Sequence, residues 1–187
     1  MTMNGFRLRI ALVAGLMMVG LGSGSVGRAQ MASASKGEKV GPPGILTREQ
    51  AGAILPASVF YRGQSATVQT RNSSGIRLPG GKLVLAAVVD TGGYSTSVQQ
   101  TYQAYLITEV PLQLGEKSLA PGAYGFGFVE GDRMVVMDLG ANEVLQTKTT
   151  RDAKLARPNP LQILPGAEGH YKLYLGRSYV DLAPVLK

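Results

Sequence analysis

Residues 118–140, SLAPGAYGFGFVEGDRMVVMDLG, hold five glycines, and their pattern is the strongest indication of the fold. Side chains alternate along a strand, so the three aromatic residues of YGFGF (124–128) share one face, which is large enough to anchor a core. The opposite face carries Gly125 and Gly127 and leaves a bare strip of backbone. Glycine weakens a strand unless something packs closely against it. The pattern therefore predicts either an aromatic side chain lying over the strip or a bound ligand.

This glycine-rich segment predicts a hairpin and not a nucleotide-binding loop. Residues 123–129 and 134–138 are extended candidates, and the four residues between them suit a hairpin connection. No helix start follows the glycines, so no cluster of free N–H groups would face a phosphate. Upstream, residues 83–89, LVLAAVV, form an unbroken apolar run between glycine pairs. That run predicts a strand covered on both faces.

The pattern of the whole chain predicts an all-β protein. We expect a single antiparallel β-sandwich, or a partly open barrel, of about eight short strands with a short N-terminal helix. The helix is expected at residues 47–55, because Thr47 and Gln50 have capping-box spacing and Pro56 follows. Residues 72–75, NSSG, predict a turn. A weaker helix signal covers residues 150–156.

The N-terminal residues have the pattern of a secretory signal peptide. Two arginines precede an apolar run of 13 residues, which is shorter than the roughly 20 residues of a membrane span, and small residues follow. We expect a signal peptide over residues 1–29, with cleavage as late as residue 34 as the alternative. A flexible spacer over residues 30–44 and one sandwich domain over residues 45–187 would follow. The chain would then be exported, to the periplasm or outside the cell, and would not be an integral membrane protein after cleavage.

The composition narrows the classes of function. The chain has no cysteine, which excludes disulfides, thiol catalysis and cysteine-based zinc sites. Its net charge of +7 falls when the arginines of the signal peptide are removed, and a mildly basic exported chain gives little support for nucleic-acid binding. We expect no metal, no cofactor and no nucleic-acid partner. The expected partner is an envelope protein or a polysaccharide.

Residues 119–124, LAPGAY, resemble the L-x-P-G-x-Y turn that leads into a strand in exported prealbumin-like and carboxypeptidase-regulatory-like β-sandwich modules. Similar hairpins occur in bacterial exported domains of unknown function. In such a turn Pro121 sets φ, Gly122 supplies a positive φ and Tyr124 returns to the core. The resemblance implies a β-sandwich that binds or braces and does not catalyse. A non-catalytic binding or structural module of the bacterial cell envelope is therefore the leading hypothesis.

Residues 88–92, VVDTG, resemble the hydrophobic-hydrophobic-Asp-Thr-Gly segment of aspartic proteases. In that family two carboxylates share one proton, because like charges about 3 Å apart cannot both ionise. A chain of this length would need a homodimer to supply the second carboxylate. The competing interpretation is that residues 90–93 form a hairpin turn, where Asp and Gly are favoured for backbone reasons. We favour the turn and keep a homodimeric aspartic hydrolase using Asp90 as the alternative function.

Residues 94–105, YSTSVQQTYQAY, combine polar and aromatic side chains. Such side chains supply adaptable hydrogen bonds and flat surfaces for a sugar or a peptide, although a solvent-facing hairpin uses them too. The absence of tryptophan weakens the carbohydrate interpretation. A glycan-binding module is the remaining alternative function. The candidate ligand-binding residues, taken from this segment and from the glycine strip, are Tyr94, Gln99, Gln103, Tyr105, Gly125 and Gly127.

Overall fold

The computed structural model describes residues 41–186. The predicted signal peptide and most of the predicted spacer lie outside the described residues. None of the helices within this range has the length and apolar character needed to cross a membrane.

Fourteen strands within residues 41–186 form two antiparallel sheets. They are β1 (Gly44–Leu46), β2 (Ser58–Tyr61), β3 (Gln64–Arg77), β4 (Leu83–Asp90), β5 (Ala104–Thr108), β6 (Leu112–Leu114), β7 (Lys117–Leu119), β8 (Gly122–Val129), β9 (Arg133–Met137), β10 (Glu143–Lys148), β11 (Thr150–Arg151), β12 (Leu161–Pro165), β13 (Tyr171–Leu175) and β14 (Ser178–Pro184). The prediction of an all-β antiparallel sandwich is confirmed. The strands outnumber the predicted eight because several have only two or three residues, too few to show an alternating pattern.

The two sheets differ in size and in strand order. The eight-stranded sheet has the order β1-β3-β4-β5-β8-β9-β10, with β2 also paired to β3. The six-stranded sheet has the order β12-β13-β14-β6-β7, with β11 also paired to β14. The chain passes from the second sheet to the first at the Pro-Gly step between β7 and β8. There the Tyr124 hydroxyl donates to the Ala120 carbonyl at 3.0 Å and closes the turn.

The main core lies between the two sheets. Phe126 is fully buried there with Leu106 and Leu173, and the other aromatic residues of its strand face, Tyr124 and Phe128, pack against the same cluster. The connection from β8 to β9 begins after Val129 and is short. The predicted hairpin and the predicted aromatic core face are therefore both confirmed.

A second apolar layer covers the opposite face of the eight-stranded sheet, which we call the outer face. Side chains of β2, at one edge of this sheet, and of two short helices, α1 (Arg48–Ile54) and α2 (Thr96–Thr101), complete the layer. Strand β4 is buried on both sides, because Val84 belongs to the core between the sheets and Leu85 to the outer layer. The expectation drawn from LVLAAVV is confirmed. Burying a β-sheet on both faces explains how a chain without disulfides builds a sizeable core.

Helix α1 begins where the sequence predicts it. The Thr47 hydroxyl accepts from the Gln50 N–H at 3.2 Å, and the Gln50 side chain accepts from the Thr47 N–H at 2.9 Å. This is the complete capping box. Helix α2 was not predicted, because its residues are polar or β-branched and show no apolar period.

Two local predictions are wrong. Residues 72–75 do not form a turn between strands but continue β3, which absorbs extra residues in a register shift between Val68 and Ser73. A hydrogen bond within the shifted segment stabilises it: the Ser73 hydroxyl donates to the Thr70 carbonyl at 2.6 Å. Residues 150–156 are not helical; they contain β11, and the Asp152 carboxylate accepts from the Tyr174 hydroxyl at 2.9 Å. In both places a short polar side chain bonds a nearby backbone group, since Asp152 Oδ1 also accepts from the Lys154 N–H at 3.0 Å.

Three tyrosines lie together in the outer layer, and two of them differ in how their hydroxyls are bonded. The Tyr94 hydroxyl donates to the carbonyls of Tyr61 and Gln64, at 3.1 Å and 3.0 Å. The Tyr102 hydroxyl is buried without a hydrogen-bond partner among residues 41–186. Its ring stacks on Tyr61 at 3.8 Å between centroids. Burial raises the pKa of Tyr102 well above its usual range.

This difference predicts that removing the hydroxyl has opposite effects on the free energy of unfolding at Tyr94 and at Tyr102. Tyr94→Phe should lower the free energy of unfolding by about 1 kcal/mol, since it removes the hydrogen bonds that the buried hydroxyl donates to two carbonyls. Tyr102→Phe should leave it unchanged or raise it by up to about 1 kcal/mol, because it removes an unpaired buried hydroxyl. Denaturant titration of both variants measures the two signs. A loss of stability in Tyr102→Phe equal to that in Tyr94→Phe would contradict this description of the cluster.

Candidate functional site

The connection between β4 and β5 folds over the outer face as a cap, which we call the α2 cap (residues 91–103). It begins with a turn in which the Tyr94 N–H donates to the Thr91 carbonyl at 2.9 Å. Asp90 is exposed at the end of β4, and its Oδ1 accepts from the Gly92 N–H at 3.0 Å. Asp90 therefore holds a turn, as the favoured interpretation requires. The turn leads into α2 and is not the tight hairpin that was expected.

The aromatic residues of the predicted recognition segment face inwards. Tyr94 is 8% exposed and Tyr105 is 6% exposed, and burial raises the pKa of each of these phenols. Neither ring offers an open surface on which a sugar or a peptide could stack. The interpretation of Tyr94 and Tyr105 as an exposed recognition face is wrong, because both rings fill the second apolar layer. The sequence of residues 94–105 does not reveal that the two rings face inwards, because their orientation depends on the sheet that lies beneath them.

The two glutamines of the same prediction are engaged within the cap. Gln99 is exposed, but its Nε2 donates to the Tyr94 carbonyl at 2.8 Å. Gln103 bridges α2 and β8: its Oε1 accepts from the Phe128 N–H at 3.0 Å, and its Nε2 donates to the Phe128 carbonyl at 3.1 Å and to the Gln100 carbonyl at 2.9 Å. The pairing of β5 with β8 ends at Ala104, so the side-chain amide of Gln103 bonds the Phe128 N–H and carbonyl that β5 no longer reaches.

The glycine strip is covered by the cap. A Cβ on Gly125 would lie 2.7 Å and 2.8 Å from two ring carbons of Tyr102, and a Cβ on Gly127 would overlap the Thr101 carbonyl. The packing interpretation is confirmed, with an aromatic ring over the first glycine and main chain over the second. Neither glycine is open to a ligand, so the assignment of Gly125 and Gly127 as ligand-binding residues is corrected.

A groove lies beside the cap on the outer face, and we call it the α2 groove. Its volume is about 530 Å³. The floor includes Val129 and Val135, and register places Gln146 on the same face, opposite Val135. The polar residues that line it are Gln100, Thr101, Gln103, Glu130, Arg133, Glu143 and Gln146.

The polar side chains of the α2 groove are oriented by one another. The guanidinium of Arg133 donates to the Glu130 carbonyl at 3.3 Å and to Gln146 Oε1 at 2.8 Å. Gln146 Nε2 in turn donates to a carboxylate oxygen of Glu143 at 2.7 Å. These three planar groups form a row that crosses β9 and β10 and keeps further donors and acceptors for a ligand.

The chemistry of this groove suits recognition. It combines a guanidinium, two carboxylates and three amides over an apolar floor, which is the usual make-up of a site that orients a polar ligand. No nucleophile paired with a base lines it. Among residues 41–186, no group of three histidine, aspartate or glutamate side chains has the geometry to hold a metal ion.

Among the residues that line the groove, the sequence analysis named only Gln103 as a candidate. Glu143, Gln146 and Arg133 come from two strands, and they meet because the register shifts between Glu143 and Leu145. That shift inserts Val144 as an extra residue and brings Glu143 to the face of Gln146. Arg133 is the one charge in an otherwise apolar strand, whereas β10, EVLQTK, mixes polar and apolar residues without a clear alternation, so the row is inconspicuous without the register.

In comparisons with known proteins, no family model, curated protein or solved structure matches the chain. The resemblance of residues 119–124 to prealbumin-like and carboxypeptidase-regulatory-like modules stays a prediction.

Proposed function

We propose that this chain is an exported, non-catalytic binding module of the bacterial cell envelope, and that its α2 groove binds a hydroxyl-rich ligand of the glycan class. The observation that carries this proposal is the row formed by Arg133, Gln146 and Glu143, whose hydrogen bonds fix three planar side chains in one concave surface. Binding is favoured when such groups are ordered before the ligand arrives, because less entropy is lost.

A glycan matches this surface better than a single-charge ligand does. Each hydroxyl both donates and accepts, and the groove offers guanidinium and amide donors next to carboxylate and amide acceptors. Its charged residues, Arg133 against Glu130 and Glu143, sum to one negative charge and give no advantage to an anion. Val129, the half-buried part of the apolar floor, would contact the C–H face of a sugar ring.

The aspartic hydrolase remains the runner-up, and no observation favours it over binding. Its reacting carboxylate would be Asp90, whose Oδ1 is occupied by the Gly92 N–H in an exposed turn. The symmetric carboxylate pair of that chemistry would require two such exposed turns to meet.

Binding to an array of bacterial envelope glycans tests the proposal. The purified protein should bind a subset of glycans at neutral pH, and Arg133→Leu should weaken this binding by about tenfold or more, because it removes a charge-assisted donor. The matched control is Arg157→Leu, which changes an exposed arginine outside the groove and should bind as the unchanged protein does.

Two results would contradict the proposal. One is the absence of any glycan that Arg133→Leu binds more weakly than Arg157→Leu. The other is cleavage of peptides in mildly acidic buffer that is abolished by Asp90→Asn, which would establish the hydrolase instead.

A further inference from the structure

Strand β10 lies at the edge of the eight-stranded sheet. It ends the strand order and pairs with β9 alone within residues 41–186. It has six residues, whereas β1 and β7 at other sheet edges have three residues each. A free edge presents unpaired N–H and C=O groups and is a template for another strand.

The hydrogen-bond pattern identifies which backbone groups of β10 are free. Bonded and non-bonded pairs alternate along an antiparallel ladder. The Thr149 N–H donates to the Asp132 carbonyl at 2.8 Å, and the register runs unbroken from there to Gln146. Thr147 is therefore bonded to β9, while Gln146 and Lys148 direct their N–H and C=O groups away from it. Two donors and two acceptors, on residues separated by Thr147, therefore face outwards.

The comparable edge strand of the other sheet is protected. The Gly176 N–H donates to the Pro160 carbonyl at 3.0 Å, so the same alternation turns Leu161, Ile163 and Pro165 of β12 outwards. The Ile163 N–H is already bonded to the Ser74 hydroxyl at 3.1 Å, and proline has no N–H to offer. The N–H positions of Ile163 and Pro165 are thus closed to another strand, whereas the N–H groups of Gln146 and Lys148 in β10 are open. Strand β10 carries two other edge features, the bulge at Val144 and the charge of Lys148, which narrow the open edge without closing it.

The free groups of β10 face a cleft of about 460 Å³ between this strand and the β6–β7 hairpin. Thr147 and Lys148 line one side, and Glu116 and Lys117 line the hairpin side. Strands in a sheet lie about 4.8 Å apart, and a cleft beside the edge is the space that an added strand occupies. The bulge at Val144 limits the free edge to the four residues that follow it.

We propose that an extended segment of another polypeptide adds to the eight-stranded sheet along β10, with its backbone bonded to Gln146 and Lys148. Strand addition of this kind takes its affinity from main-chain bonds and its selectivity from the flanking side chains. The cleft places Lys117, Lys148 and Arg133 against Glu116 and Asp181. This excess of one positive charge favours a segment with acidic or hydroxyl side chains. The site goes beyond the proposed glycan function.

A random-peptide phage library is the probe, and hydrogen exchange is the first measurement. A selected peptide should slow amide exchange at Gln146 and Lys148, whose N–H groups face outwards. Exchange at Thr147 should change little, because its N–H is already bonded to β9. Protection of amides on a different strand, or failure to select any peptide, would overturn the proposal.

The matched variants are Lys148→Pro and Lys148→Ala. Lys148→Pro removes an outward N–H but no bond to β9, so the fold should persist as it does around Pro165, and peptide binding should weaken by about tenfold or more. Lys148→Ala keeps the N–H and should bind within about threefold of the unchanged protein. Equal binding by the proline and alanine variants would overturn strand addition. If Lys148→Pro does not fold, the exchange pattern of the unchanged protein decides.

Two further outcomes separate this site from its neighbours. Lys148 does not line the α2 groove, so Lys148→Pro should keep the glycan binding of the unchanged protein, and failure of one proposal leaves the other testable. A concentration-dependent dimer seen by analytical ultracentrifugation and lost in Lys148→Pro would show that the edge takes a second copy of this chain. That result would overturn the choice of a different polypeptide.

Discussion

Replacing Gly127 with alanine should lower the free energy of unfolding by roughly 3 kcal/mol, the upper part of the range for overpacked sites. The added methyl group would overlap the Thr101 carbonyl oxygen and lie 2.8 Å from its carbonyl carbon. Both atoms belong to main chain, so no side-chain rotation relieves the overlap. The end of α2 must lift from β8 and strain the bonds of Gln103.

Gly93→Ala is the matched control for this variant. A Cβ there meets nothing nearer than the Gln64 side chain at 3.9 Å. Alanine in open space should be neutral or stabilising by up to about 1 kcal/mol, because glycine loses more backbone entropy on folding. Denaturant midpoints measure both effects. An unchanged or raised midpoint in Gly127→Ala would contradict close packing, and the glycine strip would again be a candidate ligand groove.

Replacing Gln103 with alanine should lower the free energy of unfolding by about 2 kcal/mol. The change removes three hydrogen bonds and leaves the N–H and C=O of Phe128 without their partner where β5 has ended. Leaving partly buried backbone groups unsatisfied costs about 1–3 kcal/mol. The loss should be cooperative with that of Gly127→Ala, since both loosen the same contact between the α2 cap and β8.

Gln100→Ala is the control for Gln103→Ala, because Gln100 is exposed on the same helix. Its substitution should change the free energy of unfolding by less than about 0.5 kcal/mol. Chemical denaturation followed by far-UV circular dichroism compares the two. A negligible effect of Gln103→Ala would mean that its amide is dispensable to the fold. Gln103 would then be available to a ligand, as the sequence analysis expected.

The sequence predicted the parts of the fold that follow from local pattern. Alternation in β8 predicted the aromatic core face, the apolar run 83–89 predicted a strand buried on both sides, and Thr47 with Gln50 predicted the start of α1. The α2 cap could not be predicted from the sequence, because the apolar residues within 96–101 do not recur at a helical period. Residues 96–101 are helical because Gln103 and the glycine strip let them pack closely on β8.

The candidate site was predicted only in part, for a related reason. Gln103 lines the α2 groove, yet its amide is already hydrogen-bonded to the backbone of Phe128. Tyr94 and Tyr105 carry the composition of a recognition surface, but the sheet beneath them offers apolar area that aromatic rings fill. Composition shows which side chains are able to bind, while burial decides which of them still face solvent.

The most direct test of the central claim is the mapping of bound glycan by NMR chemical shifts of the labelled protein. The oligosaccharide with the strongest array signal is titrated into the protein, and backbone and side-chain N–H shifts are followed. The largest changes should fall on the α2 groove, at the side-chain N–H groups of Arg133, Gln146 and Gln100, with Asp90 and Gly92 unaffected. Saturable changes centred on the turn at Asp90, with the groove unaffected, would contradict the claim.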